Sequence, residues 1–277
     1  MPRNAPLPAD APLPAHAPLP AHAIDAAEPG AVPDFSVCTL VTDSTHYAAM
    51  TASFAAGGFT ADRAEYLYLD NRRGNRWDGF SGIARLIGAA RGRHILLCHQ
   101  DLRLVDHGAS SLAARLAELD DRAPDWGIAG NAGGTAAGDL AIRISDPHGA
   151  DQNSGSLPAR VVSLDENFLV LRRDAPIGLS HDLTGFHLYG TDLCMQAALA
   201  GRSAWVIDFH LRHLSGGRKD GSFLEAQARF ERKYAGLLRN PADIRTPVTR
   251  LRFGAGVFGA VLAAWRLRRR RARLERG

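Results

Sequence analysis

Two stretches of this sequence concentrate side chains that bind cations or move protons. In HILLCHQDLRL (94–104), Asp101 lies just past a buried apolar run, Ile95-Leu96-Leu97-Cys98. A carboxylate at the carboxyl end of a buried strand is a hard oxygen donor suited to a divalent cation. Taken alone, the same residue equally starts a loop or caps a helix. In HDLTGFHLYGTDLCMQAALAGRSAWVIDFHLRHLSGG (181–217), Asp192 opens a helical pattern, an apolar strand follows, and His213 stands before Ser215-Gly216-Gly217. That turn frees the backbone to approach a phosphate closely. His213 is therefore a candidate ligand, against the plainer role of a structural hydrogen-bond donor. His210 either joins it or alternates to the other face of an extended segment. Asp192 fits two roles: a proton acceptor for an attacking hydroxyl, or the N-cap of a helix over 193–200.

These residues need strands and helices to hold them. SVCTLVT (36–42), AEYLYLDN (64–71), HILLCHQ (94–100) and WGIAGNAG (126–133) read as strands. Helical spacing over 47–59, 77–90 and 110–121 separates them. Such alternation predicts βαβ units and a mostly parallel sheet with helices on both faces. Residues 134–160 are rich in Gly, Asp and Ser and read as a short hairpin or loop, while 161–174 returns to strand character. The last helix of the body is expected over 222–238.

The order LCHQDLRL, WGIAGNAGG, VVSLDENFLVLRR, GFHLYGTDLCMQAALAGRSAWVI, HLSGG resembles bacterial family-2-like glycosyltransferases of the GT-A fold, across about residues 36–235. The resemblance implies an α/β GT-A-like domain and inverting, hexosyltransferase-like sugar transfer from a nucleotide-diphosphate-sugar donor to a glycan or lipid-linked acceptor. It also implies a divalent metal, Mn2+ or Mg2+, and a place in polysaccharide biosynthesis. Asp101 falls on the final Asp of the family's Asp-x-Asp motif, and His99 stands where the first Asp is usual. His213 falls on a metal- or diphosphate-binding His. Asp192 becomes the leading base, although Tyr189-Gly190-Thr191 replace acids that relatives often carry ahead of it. His187 and Asp182 are reserves for base or acceptor contact. Ligands of open α/β sheets lie at the carboxyl ends of strands. Asp43, Asp70 and Asn71 are therefore expected against nucleobase and ribose, and Asp165 and Glu166 against donor sugar or acceptor. Each of these also reads as an ordinary polar strand end or solvated turn. Trp77, Trp126 and Trp205 read as core or rim packing rather than sugar platforms.

Other chemistries lack their motifs. Residues 42–47 (TDSTHY) contain no Gly, so no dinucleotide fingerprint follows the first strand. No G-x-x-x-x-G-K-[ST] and no G-x-S-x-G occurs. The rival class is a non-catalytic GT-A-like module that binds a nucleotide sugar or recruits partners.

The flanks differ from the body. Residues 1–34 contain APLPAD-APLPAH-APLPAH, where recurrent Pro blocks helix and sheet, and are expected to be a disordered arm. The domain is expected over 35–240, and 241–277 as a linker with a basic amphipathic C-terminal helix. FGAGVFGAVLAAW (253–265) would span about 20 Å as a helix, short of the roughly 30 Å hydrocarbon core. It meets a tail of seven Arg and one Glu (266–277). That pattern suits either an interfacial helix on an anionic membrane surface or a helix packed on protein with a solvated basic end. With the tail set aside, the formal charge of +4 becomes slightly acidic, which gives no ground for specific nucleic-acid binding. Cys38, Cys98 and Cys194 sit in apolar runs without a CxxC pair and read as buried thiols. The expected location is cytoplasmic, peripheral at the inner membrane face.

Overall fold

The computed structural model describes residues 32–217, 220–235, 237, 242–254, 265, 266, 268, 269 and 272. The N-terminal repeat arm and almost all of the expected C-terminal helix lie outside the described residues. Among the described residues no helix is long and apolar enough to cross a membrane.

The first half alternates strand and helix as its sequence pattern requires. In order it forms β1 (Phe35–Val41), α1 (Ser44–Ala56), β2 (Ala64–Asp70), α2 (Ser81–Ala89), β3 (His94–Cys98), β4 (Leu102–Leu104), α3 (Ala109–Arg122), β5 (Trp126–Gly130) and β6 (Ala132–Gly134). The Gly-rich stretch then makes the hairpin β7 (Leu140–Asp146) and β8 (Gly149–Ser154). After it come β9 (Ala159–Val161), β10 (Ser163–Leu164), β11 (Phe168–Arg172), α4 (Tyr189–Leu199), β12 (Ser203–Val206), β13 (Leu211–His213) and α5 (Gly221–Ala235). A second hairpin, β14 (Ala242–Arg245) and β15 (Arg250–Phe253), follows.

The main sheet has the order β2-β1-β3-β11-β5-β12-β9. β1 pairs in parallel with β2 and β3, and β12 with β5, while β11 runs antiparallel between β3 and β5. Five of the seven strands thus point one way, and the mostly parallel α/β sheet expected from the sequence is what is observed. Side-chain alternation divides the core into two layers. Ile95 and Leu97 of β3 and Leu169 and Leu171 of β11 pack toward α2 and α4. Leu96, Cys98, Phe168 and Val170 pack the other way, against Met50 and Phe54 of α1 and Leu112, Leu116 and Leu119 of α3. Helices therefore cover both faces, and the three cysteines are free and buried.

A second sheet, β10-β6-β7-β13-β4 with β8 on β7, is laid beside the carboxyl end of the first. Its β13 pairs antiparallel with β4 in the register His213↔Leu102. The last hairpin belongs to the body rather than to a linker beginning at 241. Leu251 and Phe253 are buried in the main core, and Phe253 packs on Phe230 and Tyr234 of α5.

Candidate functional site

The β4–β13 pairing brings the two sequence candidates together. His213 Nε2 lies 3.3 Å from Asp101 Oδ1, and the Leu214 amide donates to the Asp101 carbonyl at 3.2 Å. A third group joins them from the end of β3: His99 Nδ1 is 3.2 Å from His213 Nε2 across 114 residues of sequence. One ligand atom from each of His99, Asp101 and His213 lies within 4.8 Å of the others. Ser215 Oγ approaches His213 Nε2 at 3.2 Å, so the turn after β13 also bears on the cluster.

The charges in this cluster are coupled. Burial alone would raise the Asp101 carboxyl, but the hydrogen bond and charge of His213 outweigh it and hold the group well below the usual carboxylate range. Burial works against the charged form of His213, yet Asp101 raises it above the ordinary imidazole value. His99 is pushed down to about 4 by burial and by the charge of His213. Two nitrogens and a carboxylate converging at hydrogen-bond spacing are a donor set that fits a divalent cation.

Neighbouring elements fix this corner. Gln100 Oε1 accepts from the Thr42 and Asp43 amides at 2.8 and 2.9 Å, and Gln100 Nε2 donates to Thr42 Oγ1 at 2.7 Å. The carboxyl end of β1 is thereby laced to the 99–101 turn. Asp43 caps α1, accepting from the Thr45 and His46 amides. Asp70, opposite Val41 in the sheet register, is exposed and paired with Arg72 at 2.8 Å. Asn71 is buried and spends its amide on the main chain of Trp77, which closes the 71–77 loop. Asn71 is thus a loop clamp rather than an open contact.

On the other side, Asp165 is half-buried, and its charge acts on both His99 and His213. Its Oδ2 accepts from Asn167 Nδ2 at 2.5 Å, and Asn167 in turn accepts from the His99 amide through its carbonyl. Glu166 meets the first amides of α4. Burial and the Asp165 charge push its carboxyl up to about 8, against hydrogen bonds from the Gly190 and Leu188 amides. Leu188 adopts φ +69° to deliver them, a left-handed conformation that costs a non-glycine residue about 1 kcal/mol or more.

Asp192 is placed elsewhere. The helix begins at Tyr189, so Asp192 sits inside its first turn and is not its cap. The residue is fully buried. Its carboxylate accepts from the Ser180 amide (2.8 Å), the Ser180 hydroxyl (2.7 Å) and the Tyr234 hydroxyl (2.5 Å). Gln196 Nε2 adds donors to both hydroxyl oxygens. A base needs an accessible lone pair within reach of the proton it takes, and this closed network ties a loop, α4 and α5 together instead. The missing acid ahead of it has a steric reason. A Cβ on Gly190 would stand 2.7 Å from the Leu164 carbonyl oxygen, so α4 packs on β10 only with glycine there.

The reserves also fall outside the cluster. His187 packs edge-on against Phe223, and burial lowers its basicity. Asp182 pairs with Lys233. His210 is buried in a separate network, 2.8 Å from Ser145 Oγ and 3.3 Å from Asp106 Oδ2. Trp126 is core, stacked on His94. Trp77 and Trp205 are half-buried, with Arg76 and Arg85 over the Trp77 ring. Sequence reasoning missed Tyr189, whose hydroxyl is 3.2 Å from His99 Nε2 and 3.1 Å from the Glu166 carbonyl. A tyrosine in the first turn of an apolar helix carries no signal of such a contact.

No family model matches the chain. Among curated proteins it is 42% identical over 206 residues to "ATP synthase subunits region ORF 6" of Fuscovulum blasticum, covering 72% of this chain and 83% of that protein. The chain belongs to the family of this ORF 6 protein. The ORF 6 name places the relative in an ATP synthase subunits region and states no activity. Among solved structures the chain is similar to the mannosyltransferase PcManGT from Pyrobaculum calidifontis in complex with GDP-Man and Mn2+. The TM-score is 0.48 at 11% identity, covering 78% of this chain and 66% of that one. Similarity to S. aureus TarS has a TM-score of 0.48 at 13% identity, covering 72% and 39%. Similarity to GalNAc-T7 with UDP, GalNAc and Mn2+ has a TM-score of 0.48 at 8% identity, covering 73% and 48%. The chain therefore spans less than two thirds of the length of each of these structures.

Proposed function

We propose that this chain is an inverting glycosyltransferase that moves a sugar from a nucleotide-diphosphate-sugar donor to a glycan or lipid-linked acceptor, using Mn2+ or Mg2+. The observation that carries the reading is the convergence of Asp101 and His213 beyond β3, beside the carboxyl ends of β1 and β2. Asp101 and His213 would hold the cation, which when bound supplies positive charge to the diphosphate leaving group. Asp43 and Asp70 stand at the rim for nucleobase and ribose, with Asn71 shaping the loop between them. The proton of the acceptor hydroxyl is taken by Asp165 rather than Asp192, because Asp165 is half-exposed, faces the cluster and keeps Oδ1 outside its bonds to Asn167. Glu166 and His187 shape the sugar and acceptor side. The role in polysaccharide assembly, and attachment of the basic tail to an anionic cytoplasmic membrane face, rest on the sequence pattern alone.

One observation favours a second reading, a non-catalytic nucleotide-sugar-binding module: Asp192 is locked away and Gly190 cannot be an acid. Calorimetric titration of UDP and then GDP into the full chain, with and without Mn2+, tests the first step. Metal-dependent binding that disappears in Asp101→Ala supports the donor site. Binding with neither hydrolysis nor transfer of a matching nucleotide sugar supports the module. No binding of any nucleotide removes both readings.

A further inference from the structure

We infer that His99 is itself a ligand of the cation, and that Tyr189 fixes its ring so that the site offers two imidazoles and one carboxylate. Such a set takes Mn2+ and other first-row transition ions in preference to Mg2+. The inference rests on the cation site of the proposed function and gives that site its metal class.

The argument begins with the one hydrogen of the Tyr189 hydroxyl. Its two partners are the Glu166 carbonyl oxygen and His99 Nε2. A carbonyl only accepts, so the hydroxyl donates to it and its oxygen must accept from His99 Nε2–H. The hydrogen bond thus places the proton on Nε2 and leaves Nδ1, the nitrogen facing His213, to offer its lone pair. Metal-binding histidines commonly have the far nitrogen held by such a partner, which fixes both tautomer and ring plane. Tyr189 is buried, and so is the α4 first turn that carries it.

Spacing supports ligation. Adjacent donors on an octahedral ion with bonds of about 2.1 Å are about 3 Å apart. His99 Nδ1 to His213 Nε2 is 3.2 Å, and His213 Nε2 to Asp101 Oδ1 is 3.3 Å. A pair of ring nitrogens at that distance with a carboxylate beside them is arranged around a shared point. Mg2+ favours oxygen donors and gives up water reluctantly, whereas imidazole suits transition ions. Replacing a carboxylate by His99 in a site that keeps Asp101 shifts the balance toward the latter.

The test is binding of metal alone to the full chain. Free Mn2+ is followed by electron paramagnetic resonance, with Mg2+ as competitor, and Co2+ is added to read nitrogen ligation from its visible spectrum. The expected result is Mn2+ binding that millimolar Mg2+ displaces poorly. His99→Ala should weaken Mn2+ binding at least tenfold. His99→Asp should narrow the Mn2+ to Mg2+ preference by tenfold or more. Tyr189→Phe keeps the buried ring and should lose about 10–100-fold in Mn2+ affinity, with a shifted Co2+ spectrum and little change in melting temperature. Unchanged Mn2+ affinity in His99→Ala overturns this inference and leaves the Asp101–His213 site standing. Absence of Mn2+, Co2+ and Mg2+ binding by the unaltered chain overturns the cation reading and this inference together.

Discussion

Two carboxylates sit in two polar clusters of this molecule, and their surroundings set them apart. Asp101 meets the His213 imidazole, which in turn meets the His99 ring and the Ser215 hydroxyl, groups that can exchange a proton for a cation. Asp192 meets a backbone amide and two hydroxyls, each already oriented toward it. The first arrangement leaves charge and lone pairs for a guest, while the second consumes them. Both residues lie at less than a tenth of their possible exposure. Burial alone therefore does not tell a site from a brace; the identity of the partners does.

The contrast can be broken at several points, from the greatest effect to the least. Asp101→Ala should abolish metal-dependent nucleotide binding and lower transfer by about 10³-fold, since it removes the anion that anchors several kcal/mol of leaving-group stabilisation; initial rates with a UDP- or GDP-sugar measure it. Asp165→Asn should cost about 10²-fold in kcat with Mn2+ affinity nearly unchanged; an unaltered kcat would return the base role to another group. Asp192→Asn should do the opposite. It weakens three charge-assisted hydrogen bonds and should lower stability by about 2 kcal/mol, seen in urea unfolding, while Mn2+ affinity stays within about twofold. Gly190→Ala should cost about 1–2 kcal/mol because the new methyl meets the Leu164 carbonyl at 2.7 Å.

Glu166→Gln sharpens the comparison through pH. The folded protein holds the Glu166 proton up to about 8, whereas an ordinary glutamate releases it near 4.5. The folded state therefore binds more protons across that window, and stability falls as pH rises through it. The Gln variant should lack this slope. Its advantage in melting experiments should grow by about 1.4 kcal/mol per pH unit across that window, reach several kcal/mol at pH 9 and vanish near pH 4.

Much of the framework was legible from sequence because buried parallel strands are continuous apolar runs. FSVCTLV and HILLC announce themselves, and polar residues directly after them mark the carboxyl edge. Asp101 was visible for that reason, and His213 for the Ser215-Gly216-Gly217 turn that follows it. Asp192 misled because an acid before an apolar helical stretch looks like a cap. The helix in fact starts a turn earlier, on Leu188 in a left-handed conformation with no capping side chain. Its true partners, Ser180 and Tyr234, are distant in sequence and carry no periodic mark. His99 looked like a departure from an acidic motif, and only the folded chain, which sets its ring between His213 and Tyr189, shows what it faces. The strands ADIR and RLRF are four residues each, too short for alternation to identify them, so the boundary expected at 240 fell inside the packed body.

That last hairpin carries a consequence for how the protein is made. A Cβ on Gly134 would lie 1.9 Å from the Arg245 carbonyl oxygen, and Ser163 Oγ donates to the same oxygen, so the hairpin backbone rests directly on β6 and β10. Domains fold progressively as the chain leaves the ribosome. Here β1, β2 and β3 emerge long before the segment that seals the second sheet and the α5 face. During synthesis the nascent chain must carry Phe230, Tyr234 and the glycine-lined strip of β6 uncovered until residues 242–253 follow. A ribosome stalled before that point would therefore display a sticky, nearly finished body, and that interval is when a chaperone has the most to hold.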